Sequence, residues 1–117
     1  MKRTVKDFLH DILDTINSIN RFIDGFNFDD FCEDEKTIFA VIHGLERIGE
    51  ATKKVTDNLP YVKEKYSNMN WKEIAGMRDI LIHKYFGIQV EIVWDTIQND
   101  LPLLKPVIQD ILENLDQ

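Results

Sequence analysis

Arg78, His83 and Tyr85 place a guanidinium, an imidazole and a phenol within the eight-residue run Arg78-Asp79-Ile80-Leu81-Ile82-His83-Lys84-Tyr85. Imidazole titrates near neutrality and can take or give a proton. Guanidinium stays charged at any working pH, and its planar fork meets carboxylate or phosphate oxygens two at a time. Arg78 also falls on an otherwise apolar stripe of Trp71, Ile74, Ala75, Leu81, Ile82 and Tyr85. Arginine is almost never fully buried without a partner. A cation on such a face calls for a carboxylate or for a phosphate. Asp79 and Glu50 are the acids that could orient Arg78 or His83, and both also read as members of surface pairs. Lys84 and Lys72 fit either a phosphate backbone or plain solvation. His10 and His43 join no constellation and read as structural. Tyr61 and Tyr66, beside Lys63 and Lys65, suit base stacking or the packing of a short helix.

Composition sets the frame around these groups. At 117 residues, with 44% hydrophobic and 30% charged side chains, the chain reads as one soluble globular domain spanning 1–117. Lone Cys32 allows no internal disulfide, and no His, Cys or carboxylate spacing suggests a metal site. A reducing, cytoplasmic setting is expected. Acidic residues interrupt any apolar run near the N-terminus, so neither a signal peptide nor a membrane span is expected. The net charge of −7 argues against simple nucleic-acid binding, yet it is unevenly spread. Residues 46–84 hold eight basic against six acidic side chains, a balance of +2 that leaves −9 for the remainder. A polyanion should approach the middle of the chain.

Helices must position the motif, because only three prolines and five glycines punctuate long periodic segments. Val5, Phe8, Ile12, Ile16, Ile19 and Ile23 recur at helical steps and predict a first helix over about 4–24. Gly25 and the stretch 27–30 break it. A second helix is predicted from the acidic group at 33–35, which suits a helix N-terminus, through Ile38, Val41, Ile42, Leu45 and Ile48 to about Val55. A short turn of helix follows at 61–66. Asn68 or Asn70 can cap the motif helix, predicted from Trp71 to Phe86 and closed by Gly87. A last helix begins at Val90, and Pro102 and Pro106 bend or restart it. The pattern reads as an all-α, antiparallel four-helix bundle with an additional short helix.

Gly44, Gly49 and Gly76 are predicted inside helices, where each costs roughly 1 kcal/mol relative to alanine. Close approach of another helix, within the chain or from a second subunit, would explain them. On a straight helix Arg78 and Tyr85 point within about 20° of each other, whereas His83 lies about 140° from Arg78. The three cannot line one narrow stripe: either the long arginine side chain reaches around, or the helix distorts near its end, or the cleft is shared between two copies. The shared cleft is the preferred reading, because it sets two histidines and two arginines around one phosphate.

The motif Arg78-x4-His83-x-Tyr85 resembles the signature of the HEPN superfamily in its HepT-like toxin branch. The segments Leu45-Glu46-Arg47-Ile48-Gly49-Glu50-Ala51, Ile82-His83-Lys84-Tyr85-Phe86-Gly87-Ile88 and Val93-Trp94-Asp95 fit the same branch, so the likeness covers about 4–115. Gln89 stands where this branch would be expected to carry aspartate, which bears on the start of the next helix. The resemblance implies a homodimeric, metal-independent endoribonuclease, the toxin of a type VII toxin–antitoxin pair. It implies Arg78 and His83 as catalytic residues; Asp79, Glu50 and Lys84 are the supporting candidates that the residues themselves offer beside them. It also implies a minimal nucleotidyltransferase antitoxin that uses ATP to place AMP on Tyr85, with no cofactor in the toxin itself.

Two other readings stay open on the residues alone. One is a non-catalytic HEPN subunit that binds nucleotides or docks a nucleotidyltransferase. The other is a helical dimerisation protein whose Arg78 pairs with an internal acid such as Glu50, sealed from solvent.

Overall fold

The computed structural model describes residues 2–77 and 89–116 of the chain. Most of these residues are helical, with no strand among them, and they pack as a bundle around one apolar core.

Helix α1 runs Val5–Phe22. Thr4 starts it with a reciprocal cap: its hydroxyl accepts from the Asp7 N–H, and the Asp7 carboxylate accepts from the Thr4 N–H at 2.8 Å. Leu9, Ile12, Ile16 and Ile19 form its buried face. The helix ends two residues before the predicted Asp24, and Gly25 turns the chain with φ +78°, a conformation that favours glycine. The break predicted at 27–30 is itself a helix, α2 (Phe28–Glu33). Asn27 and Asp30 cap each other there, and Phe31 is fully buried. Local capping chemistry won over the turn-like composition of this stretch.

Asp34 closes α2 and caps α3 (Glu35–Asn58), accepting from the Thr37 N–H at 3.0 Å. Helix α3 is the central element. It extends one turn past the predicted end at Val55, to the Leu59-Pro60 step. Gly44 sits where α1 crosses α3: an added Cβ would meet Ile19 Cδ1 at 3.0 Å and Thr15 Cγ2 at 3.2 Å. Ordinary packing within the chain therefore accounts for Gly44. Helix α4 (Tyr61–Lys65) buries Val62, and α5 (Trp71–Ala75) packs on α3 through Trp71 and Ile74.

The last helical stretch starts as α6 (Val90–Asp95), passes through a π-helical turn at Thr96–Asp100, and ends as α7 (Leu101–Leu115). The predicted effect of the prolines takes this form: the wider turn precedes Pro102, which lacks an N–H and would crowd a regular turn. Pro106 lies inside α7. Helix α7 runs antiparallel to α1, since Lys6 near the start of α1 pairs with Asp116 just beyond α7. Helix α2 bridges α3 and α6. Among the described residues no helix is long and apolar enough to cross a membrane.

Candidate functional site

Arg78, Asp79, His83, Lys84 and Tyr85 lie in 78–88, outside the described residues, as does the helix predicted to run on to Phe86. The structure describes how the chain is held on either side of this segment. On the entry side, Asn70, one of the two predicted caps, accepts from the Glu73 N–H at 3.1 Å and donates to the Glu73 carboxylate at 2.8 Å. The Trp71 indole donates to the Tyr66 carbonyl at 3.0 Å, and Trp71, Ile74 and Met77 are all buried. Tyr66 is in turn fixed by its hydroxyl, which donates to the Asp110 carboxylate on α7. Burial first, and then Asp110, push the Tyr66 phenol up to about 12. That engagement makes Tyr66 a packing residue, whereas Tyr61 is exposed. Helix α5 stops at Ala75, with Gly76 as its C-cap; Gly76 is therefore not inside a helix at this point. Among the described residues, a Cβ on Gly76 would meet the Lys72 carbonyl at 3.1 Å.

On the exit side, Gln89 occupies the N-cap of α6 with no side-chain cap hydrogen bond. This helix start therefore has no side-chain cap. Packing anchors it instead: Val93 is buried, and the Trp94 ring lies 5.1 Å from that of Phe31 and 6.2 Å from that of Phe28.

Glu50 is exposed on α3, and Lys72 is exposed on α5. An ion pair of Glu50 sealed from solvent, the mark of the purely structural reading, does not match that exposure. Near the entry side, burial first, then Glu73 and then Asp95, hold the Asp100 carboxyl above the usual carboxylate range. Among the described residues no group of three His, Cys, Asp or Glu could hold a metal ion.

His10 and His43, read from sequence as structural, are both exposed. His43 lines a groove of about 360 Å³ between α1 and α3, together with Asp14, Ser18, Phe22 and Arg47. The spacing of His43 and Arg47, one helical turn apart, was visible in the sequence. That α1 would set Asp14 and Phe22 opposite them was not, because it depends on the close crossing at Gly44.

The family model described as ribonuclease HepT-like matches residues 12–111. A Thermococcus cleftensis protein named "Probable ribonuclease HepT" is 46% identical over 105 residues, 90% of this chain and 93% of its own length. A Methanocaldococcus jannaschii protein named "Putative RNase" is 39% identical over 116 residues, 99% of this chain and 97% of its own. A Caldanaerobacter subterraneus subsp. tengcongensis protein of the same designation is 41% identical over 112 residues, 95% of this chain and 96% of its own. No solved structure matches.

Proposed function

The chain belongs to the HepT-like ribonuclease family, and on that premise we propose that it is a toxin endoribonuclease working through Arg78 and His83. The observation that carries this reading is the family match over 12–111, which encloses the whole Arg78-x4-His83-x-Tyr85 spacing.

His83 takes the proton of a ribose 2′-hydroxyl, whose oxygen then attacks the adjacent phosphorus. Arg78 holds two non-bridging oxygens as negative charge builds on them. The bond from phosphorus to the 5′-oxygen breaks, and that oxygen takes a proton. The products are a 2′,3′-cyclic phosphate and a free 5′-hydroxyl. A homodimeric cleft supplies two copies of each residue to one phosphate, so one imidazole acts as base and the other as acid. The roughly 140° between His83 and Arg78 on a straight helix supports such a shared cleft. Tyr85 is the acceptor through which a minimal nucleotidyltransferase antitoxin silences the enzyme. Its hydroxyl oxygen displaces pyrophosphate from ATP, and the tyrosyl AMP adds about one negative charge and a nucleotide beside Arg78. Asp79, Glu50 and Lys84 support the site by orienting these groups or touching the RNA backbone.

The test is cleavage of a defined RNA by purified protein in the presence of a chelator, with the new ends identified by mass. Arg78→Ala should lower the rate about 10²–10³-fold and His83→Ala about 10²–10⁴-fold, with circular dichroism unchanged. Given the antitoxin and ATP, the unaltered protein should gain AMP at Tyr85. Cleavage by both variants at the unaltered rate would reject the assignment. The net charge of −7 works against attraction of an RNA backbone, which keeps open a second reading, a non-catalytic subunit that docks the transferase or binds nucleotides. Nucleotide binding without RNA cleavage would mark it.

A further inference from the structure

The groove between α1 and α3 has no part in the chemistry above, yet its walls differ in a way that specifies a ligand. On α3, His43 and Arg47 are one turn apart, about 6 Å along the axis, on one exposed face. On α1, Asp14, Ser18 and Phe22 follow one another at the same four-residue step. Asp11 on this wall is already paired with Arg3, and Ser18 with Arg21. Among the described residues, Asp14, His43 and Arg47 have neither an ion-pair nor a hydrogen-bond partner within the chain. Phe22 leaves 44% of its surface open to solvent. The groove's volume of about 360 Å³ falls within the usual size range of small-ligand sites.

A ligand that completes these side chains needs an anion for Arg47 and His43, hydrogen-bond donors for Asp14, and a flat face for Phe22. An isolated anion meets only the first need and is repelled by Asp14. An unpaired nucleotide meets all three through its phosphate, exocyclic amine and base plane. We propose that the α1–α3 groove is a subsite for one unpaired nucleotide of the RNA strand, outside the catalytic cleft. Arg47 and His43 hold its phosphate, Phe22 stacks on its base, and Asp14 selects bases that carry an exocyclic amine over uracil. The proposal rests on the ribonuclease reading. Helix α3 suits the task, because α5, which leads into the motif segment, packs on the same helix.

Short 2′-O-methyl oligonucleotides of adenine, cytosine or uracil serve as probes, since they lack the attacking hydroxyl and are bound without being cut. Fluorescence anisotropy over a range of salt should show the adenine and cytosine oligomers bound more tightly than uracil. Arg47→Ala should weaken all three about ten-fold and reduce the salt slope by about 0.7. Phe22→Ala should weaken binding about ten-fold with the slope retained. Asp14→Ala should erase the preference over uracil. Lys6→Ala removes an equal charge from the surface pair with Asp116 and should change none of this. No binding by the unaltered protein, or Arg47→Ala and Phe22→Ala behaving like Lys6→Ala, would overturn the subsite. Cleavage of ordinary RNA is followed in parallel. A failure to cleave with the binding pattern intact would sink the endonuclease and leave the subsite standing. Normal cleavage with binding indifferent to these positions would do the reverse.

Discussion

Asp100 carries a charge that its surroundings oppose. Burial, Glu73 and Asp95 all raise its folded-state pKa above the ordinary carboxylate value. Folding therefore favours the protonated acid. The resulting stability is full below the unfolded-state value and is lost as pH rises through the raised folded-state value. At neutral pH the ionised group opposes folding, so Asp100→Asn should raise Tm by a few degrees at pH 7. That gain should vanish on acidification below the unfolded value, as scanning calorimetry across pH would show. Asp7 has the opposite sense: the Thr4 N–H and hydroxyl hold its carboxyl below the ordinary value. At this scale the sequence was informative about residue type and spacing, since Arg78, His83 and Tyr85 stand out by chemistry alone. It was silent about the meeting of Asp14 with His43 and Arg47, which depends on which helix faces α3.

Among the elements, α5 bears most directly on the site, because its five residues lead the chain into the motif segment. It is too short to be stable alone and depends on its cap and on Trp71 and Ile74. Asn70→Ala removes the acceptor for the Glu73 N–H and should lower stability by about 1 kcal/mol. Thermal melts would measure that loss, and RNA cleavage should fall with it as the start of the motif segment loosens. The long elements were legible from periodicity, and α1 and α3 lie within one turn of their predicted limits. Helix α2 was not legible, because Gly25 and the run of Asn and Asp residues resemble a loop. Only the reciprocal Asn27–Asp30 cap and the burial of Phe31 turn that stretch into a helix. The prolines signalled a disturbance in the last helix. They did not specify its form, since a π-turn at Thr96–Asp100 or a kink accommodates the ring of Pro102 and the carbonyl left without its donor equally well.

At the scale of the whole molecule, the proposed cleft belongs to two chains, and this makes a prediction that no single chain could meet. Arg78→Ala and His83→Ala protomers, each strongly impaired as homodimers, should form a mixed dimer that keeps one arginine to hold the phosphate and one histidine as base, losing only the second imidazole's part as acid. Isolated by two different tags, that heterodimer should cleave RNA at least about ten-fold faster than either parent dimer. Equal inactivity in all three would argue for sites complete within one protomer. The charge map points the same way for substrate approach, because the basic excess lies in 46–84 while acids dominate elsewhere. The pairing of Lys6 with Asp116 has a separate consequence. It brings the two extremities of the helical body side by side, so a brief peptide tether could join them. The polypeptide could then be reopened at Gly25, where an added Cβ would meet nothing within 4 Å. A circular permutant of this kind would keep every core helix whole while reversing the order in which α1 and α3 emerge during synthesis.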